Sequence, residues 1–302
     1  MERAWTDSPA RFVQGIVLQH ATYESPSTYH QDDDNGHPLG LDILERLLGL
    51  VPNLAYLDLG YELEPSPRLL ASLASYRLSL RYLYLEITPA NYNAATCLLN
   101  SVANTLTHLY LFEKDDLGEI GFRPAGLRSG VDLPRLRSLQ TESWERDENR
   151  SIDSVCQDGW SLPQLRSIAA GMYTGGVLAE ELAMRDMVAT FGRSLREITV
   201  DASWVTHEWL ERRLPRDAPN VHTLAIGVDV RAMESPRPPL EGDCPQIRQL
   251  ILLQTGFEQV WPRSSLDIGR RFFEGLLSKA SLPNLERVWW VSARRDAPPM
   301  AL

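Results

Sequence analysis

Few residues in this chain stand at spacings that would do chemistry. His207 and Glu208 open like the zinc-protease phrase HExxH, in which two histidines one helical turn apart share the metal and the glutamate acts as base. Glu211 occupies the second histidine's place, so His207 reads as a helix-surface residue. His20, His30, His37, His108 and His222 fall at no ligand spacing. Asp32, Asp33 and Asp34 are consecutive, whereas a calcium loop alternates its oxygen ligands about a glycine and closes on a glutamate. A solvated acidic loop is the simpler reading. GLRSG at 126–130 misplaces its serine for a nucleophile elbow, and GxGxxG and Walker A phrases are missing. Glu142, Glu197 and Asp201 are the carboxylates dense enough to consider for acid/base work, and they suit a surface for basic ligands better. Hence no catalytic residue, no cofactor and no metal ligand is assigned, and the chain is not expected to be an enzyme. The alternative is a divergent α/β enzyme whose site is assembled from distant residues.

The bulk properties narrow the classes further. The chain has 302 residues, 43% hydrophobic and 23% charged, with net charge -10. That is enough apolar material for a continuous core. An acidic chain is a poor partner for phosphate backbones or anionic membranes, so neither nucleic acid nor a membrane is expected as a ligand. Cys97, Cys156 and Cys244 are odd in number and far apart, which reads as buried thiols in a reducing compartment, cytoplasmic or nuclear. The opening MERAWTDSPARF lacks the apolar core of a secretory signal, and no apolar run is long enough to span a bilayer. Asn149-Arg150-Ser151 matches a glycosylation acceptor by chance in that setting.

What organises the chain is a repeat. An aliphatic residue, two others, an aliphatic, one other and an aliphatic recur as Leu54-Leu57-Leu59, Leu80-Leu83-Leu85, Leu106-Leu109-Leu111, Leu195-Ile198-Val200, Val221-Leu224-Ile226 and Ile247-Leu250-Leu252. Val13-Ile16-Leu18 is a first copy. Leu136-Leu139-Thr141, Leu165-Ile168-Ala170 and Leu285-Val288-Trp290 are looser ones. From Leu54 the copies advance by 26, 26, 30, 29, 30, 26, 26 and 38 residues, an interval chance does not hold. Six copies carry a proline two residues ahead: Pro52, Pro134, Pro163, Pro219, Pro245 and Pro283. Proline cannot continue a helix and is tolerated at a strand's first residue, so each marks a helix ending and a strand beginning. Segments 39–50, 66–76, 91–104, 206–214 and 267–280 have helical apolar spacing, with Ser66-Pro67 and Thr206 suited to helix starts. Stacked strand-plus-helix units then share one core. The expectation is an α/β solenoid of about nine or ten irregular units over residues 1–291, with a curved parallel sheet on the concave face and helices on the convex face. Residues 21–38 read as a polar loop insertion and 292–302 as a tail.

With the LxxLxL phrase intact in most copies, the units resemble leucine-rich repeats. Their length resembles the helix-bearing repeats of ribonuclease-inhibitor-like and F-box leucine-rich-repeat proteins. LPRLRSL (133–139) and LPQLRSI (162–168) resemble the irregular repeats of fungal F-box-type proteins. The resemblance covers about residues 11–291. It implies a protein-interaction module, a substrate-recognition subunit of a ubiquitin ligase, with a Skp1-like adaptor as second partner. The Asn or Cys that usually follows LxL is replaced in this vicinity by Gly60, Ile87 and Leu253. No LPxEIL-type F-box phrase precedes the repeats, so adaptor binding is carried to no residue.

Alternation along each strand puts the aliphatics inward and the residues between them on the open face. Tyr56, Tyr82, Tyr84, His108, Tyr110 and Phe112 are expected to share that face, rimmed by Asp58 and Glu86. Aromatic side chains are favoured interface anchors, and the acidic rim prefers a protein partner with a basic surface. Mutual packing of the aromatics beneath the 21–38 loop is the competing reading. Near the C-terminal end, Ile251, Leu253 and Trp289 are expected to meet the tail or a cap, with Trp290 facing the core.

Overall fold

The computed structural model describes residues 14–17, 48, 50–51, 53–59, 65–76, 78–88, 90–113, 130–143, 159–170, 177–201, 213–228, 244–254 and 282–292. It divides into two compact units: Met1–Leu136 with Asp158–Pro163, and Arg137–Gln157 with Gln164–Leu302.

In the first unit, strands β1 (Gly15–Val17), β2 (Tyr56–Asp58), β3 (Tyr82–Ile87) and β4 (His108–Glu113) pair in sequence order, all parallel. In the second, β5 (Ser138–Ser143), β6 (Ser167–Ala170), β7 (Glu197–Asp201), β8 (Thr223–Val228), β9 (Gln249–Gln254) and β10 (Arg287–Ser292) do the same. The register aligns the repeat phrases residue by residue: Leu57 lies opposite Leu83, Leu83 opposite Leu109, and Leu224 opposite Leu250. The fold is therefore α/β, an open all-parallel sheet of consecutive strands, consistent with a leucine-rich-repeat-like solenoid.

Helices return the chain between strands. α1 (Pro67–Ser75) begins where the sequence asks it to. Ser66 accepts the Leu69 amide at 3.2 Å, and Pro67 occupies a first-turn position where no N–H is needed. Leu69, Leu70 and Leu73 form its buried stripe. α2 (Tyr92–Val102) packs beside α1 and buries Ala95, Leu98, Leu99 and Val102. α3 (Val177–Phe191), which has no counterpart among the expected helices, buries Met184, Met187 and Val188. Its apolar residues are spread around the segment rather than striped, so spacing did not single it out. α4 (Leu214–Asp217) is one turn long and overlaps only the last residue of the helix expected over 206–214. The helix expected over 39–50, apart from Leu48 and Leu50, and that over 267–280 lie outside the described residues, as do the 21–38 loop, most of the tail and His207.

The core follows the phrase. All three aliphatics are buried in the copies beginning at Leu54, Leu80, Leu106, Leu195, Val221 and Ile247. Each leucine so buried contributes about 1.5–3 kcal/mol. Thr141 fills the third place of its copy and is fully buried too. The last copy departs from expectation: Val288 shares the inward register of Leu250 yet is 46% exposed, and Leu285 is half-buried. Among the described residues, β10 has a neighbouring strand on one side alone, so its inward side chains are less enclosed. The thiols follow expectation at one site and depart from it at another. Cys244 is buried, Cys97 is exposed on α2, and Cys156 lies outside the described residues.

The prolines work differently from a strand's first residue. Pro134, Pro219, Pro245 and Pro283 sit at the second position of a β-turn closed by an i+3 amide: Leu136 N–H to Leu133 C=O (3.1 Å), Val221 to Ala218 (3.2 Å), Ile247 to Cys244 (3.1 Å) and Leu285 to Leu282 (3.2 Å). Proline's fixed φ is preset for that position. The strand begins two residues after the turn's fourth residue. There a second backbone device recurs. A carbonyl just ahead of a strand accepts two consecutive amides from the next unit: Ala55 takes Arg81 and Tyr82, Arg81 takes Thr107 and His108, and Arg166 takes Arg196 and Glu197. His222 and Arg248 accept in the same way.

Candidate functional site

The aromatic residues expected on one face lie on β2, β3 and β4 of the first unit, and the parallel register sets them in rows. Gly15, Tyr56, Tyr82 and His108 are successive partners in one row. Asp58, Tyr84 and Tyr110 form the next, and Glu86 lies opposite Phe112 beyond it. Because the strands are parallel and unshifted, rings two residues apart on one strand never meet, whereas rings in the same row on adjacent strands do. The Tyr82 ring stacks on His108 with centroids 4.3 Å apart and planes 15° apart. Tyr84 stacks on Tyr110 at 4.3 Å and 16°. Tyr56 leans on Tyr82 at 6.1 Å and 41°. Gly15 leaves space beside Tyr56, since a β-carbon added there would stand 3.5 Å from the Tyr56 β-carbon. The result is two parallel columns of stacked rings, each ring half-buried. Stacked pairs of this kind are worth about 0.5–1.5 kcal/mol beyond their buried area, so the columns are pre-ordered.

Polar contacts fix the edges. The Tyr56 hydroxyl donates to Asp58 Oδ2 at 3.4 Å. Burial pushes the Tyr56 phenol above its ordinary value, and the Asp58 charge and that hydrogen bond add to the effect. The Thr107 hydroxyl donates to the Arg81 carbonyl at 3.0 Å and lies 2.9 Å from His108 Nδ1. A hydroxyl has a single hydrogen, so with that hydrogen on the carbonyl its oxygen accepts from Nδ1–H.

Glu86 and Phe112 sit elsewhere than expected. Both are buried, Glu86 at 0% exposure and Phe112 at 2%. β3 and β4 extend past the LxL phrase, and at that depth their outward face is covered. Thus Tyr56, Asp58, Tyr82, Tyr84, His108 and Tyr110 are partly accessible together, while the row of Glu86 and Phe112 belongs to the interior. The acidic rim reduces to Asp58.

One residue the sequence reading passed over holds this end of the unit. Asn91, buried, accepts the Thr88 amide on Oδ1 at 2.9 Å, and its own amide reaches the Thr88 hydroxyl at 3.3 Å. Its Nδ2 donates to the Glu86 carbonyl at 3.2 Å and to the Pro65 carbonyl of the preceding repeat at 3.1 Å. The asparagine that usually follows LxL is displaced along the chain here. It stands a few residues later, and the signal was its place in TPAN, a turn-forming stretch between a strand and a helix. Asn220 and Asn284 clamp turns in the second unit similarly, donating to the carbonyls of Arg193 and Pro245 at 2.8 Å each.

Of the carboxylates considered for acid/base work, Glu197 lies half-buried on β7 between Ser167 and Thr223. Burial raises its carboxyl above the usual range. The side chains of Glu142 and Asp201 lie outside the described residues. Among the described residues no group of three His, Cys, Asp or Glu side chains is placed to hold a metal ion, and no helix is long and apolar enough to cross a membrane. Ile251 is buried on β9, Leu253 is half-buried, Trp289 is 54% exposed, and the Trp290 side chain lies outside the described residues. Set against known proteins, the chain matches no family model and no curated protein.

Proposed function

We propose that this protein is a binding module of leucine-rich-repeat type that captures a protein partner on the open sheet face of its first unit. The observation that carries the reading is the pair of stacked columns, Tyr56-Tyr82-His108 and Tyr84-Tyr110, held half-accessible on a backbone of fixed register. Rigid aromatic side chains give large contact area at little entropic cost, which suits an interface anchor. Asp58 at the margin favours a lysine or arginine on the partner.

Replacing Tyr82, Tyr84 and Tyr110 together by alanine should abolish partner capture in affinity purification with mass spectrometry, while the far-UV circular dichroism of the folded chain is retained. Capture that survives the triple substitution places the interface elsewhere. The likeness of LPRLRSL and LPQLRSI to F-box-type repeats supports a narrower version, a substrate-recognition subunit of a ubiquitin ligase. That version requires a ubiquitin-ligase adaptor to co-purify with the full chain, and its consistent absence from such preparations removes it.

A further inference from the structure

The second unit presents a row of basic side chains that its fold does not require. Immediately ahead of β5, β6, β7, β8 and β9 stand Arg137, Arg166, Arg196, His222 and Arg248, all exposed. They occupy one structural position, the residue whose carbonyl accepts two amides from the next unit. Arg137 C=O takes Arg166 and Ser167 at 2.8 and 2.9 Å, and the others repeat the pattern through Arg248, which takes Glu286 and Arg287. Their backbones are therefore pinned side by side at the spacing of adjacent strands, about 4.8 Å. In the first unit the same position holds Gln14, Ala55 and Arg81, and the same double acceptance is made there. The carbonyl does the structural work, and glutamine or alanine serves it as well as arginine. Like charges on adjacent rungs repel, so four arginines and a histidine in file oppose stability in a chain of net charge -10.

We infer that this row is a docking edge for an extended acidic segment of a partner protein. Guanidinium groups in file match successive carboxylates, which they engage in planar, paired hydrogen bonds. The chain itself shows the chemistry at the end of the row: the next rung carries Glu286, whose carboxylate lies 3.7 Å from Arg248 Nη1, both side chains being exposed. Among the described residues, no ion pair is formed by Arg137, Arg166 or Arg196. A polypeptide fits better than a nucleic acid for two reasons. The residues after the row, Ser138, Ser167, Glu197, Thr223 and Gln249, supply no ring for bases to stack on, and they include a carboxyl group. A polyphosphate also meets more of the chain's negative field than a short segment with a few carboxylates does. The inference stands apart from the tyrosine columns, which belong to the other unit.

The test uses the full chain and fluorescence anisotropy at low salt. The probes are a fluorescein-labelled peptide alternating Glu and Ser, its Lys-for-Glu counterpart and an oligothymidylate. The Glu peptide should bind saturably and weaken steeply as salt rises, and the Lys peptide should not bind. The double variant R166Q/R196Q should bind the Glu peptide at least about tenfold more weakly, while R81Q in the first unit should match the parent. The reversed variant R166E/R196E should take up the Lys peptide instead. That gain of binding also shows that loss in the first variant is not unfolding. Failure of the Glu peptide to bind, equal binding by R166Q/R196Q, or tighter binding of oligothymidylate than of the peptide each overturns the inference.

Discussion

Asn91 illustrates how much one side chain can secure when it is buried and fully used. It serves the Thr88 amide and the carbonyls of Glu86 and Pro65, three backbone groups that burial removes from water. Alanine at this site strands all three, and a buried polar group left unsatisfied costs about 1–3 kcal/mol. Asn91→Ala should therefore lower unfolding stability by about 2–4 kcal/mol in urea titrations, whereas the exposed Asn220→Ala should cost about 1 kcal/mol or less. Glu197 gives a prediction with a pH sign. Its folded-state value lies above its unfolded one because burial disfavours the charged form. The stability linked to its protonated form is fully present below the unfolded value, and it is lost as pH rises through the folded value. At neutral pH the charged carboxylate is then a burden, so Glu197→Gln should raise the melting temperature there. The gain should shrink as pH falls through the raised folded value and vanish below the ordinary carboxylate range. A constant gain across that range would mean that the carboxyl is not what strains the site.

The elements were legible to the degree that they depend on periodicity. The aliphatic triads located the strands, and Ser66-Pro67 located the start of α1, because both signals are local: a pleat alternates and a cap needs one oxygen. Alternation assigns a side chain to a face, however, and does not say what covers that face. For that reason Glu86 and Phe112, outward by alternation, are buried, as are Thr199, Thr223 and Ala225. The arginine row was visible in LRSL, LRSI, LREI and IRQL, yet a search for clusters along the sequence passes over charges that recur once per repeat. α3 shows a further dependence invisible in a linear reading. A β-carbon placed on Gly192, just after α3, would collide with the Val188 and Asp217 carbonyl oxygens and come within 2.8 Å of the Asp217 carbonyl carbon. The end of α3 and the end of α4 approach through this residue, and backbone cannot yield as a side-chain tip can. Gly192→Ala should cost about 2–4 kcal/mol of unfolding stability, in the range of overpacking combined with backbone displacement. Gly159, at φ 67° with nothing within 4 Å of an added β-carbon, should cost about 1–2 kcal/mol on the same substitution, from conformation alone.

At the scale of the whole chain, the recurring joint between consecutive repeats is backbone, a parallel ladder with a doubly accepting carbonyl at its start, and Asn91, Asn220 and Asn284 add side-chain clamps. Side chains fill the space between rungs, but the backbone acceptance is indifferent to the residue that makes it, since Ala55, Arg81, Arg196 and His222 all do. A joint of that kind can be cut and remade. Excising residues 80–105 removes β3 and α2 together and brings Ser79 to Leu106, one phrase in the place of another. The shortened protein should still unfold in one cooperative step per compact unit, with unchanged helix and strand signal per residue and a smaller urea m-value, whereas excising half that length should abolish the transition. In such a molecule length is itself heritable in whole steps. Duplication or loss of a single 26-residue period needs no compensating change at the seam, and the surface offered to partners can lengthen or shorten one rung at a time.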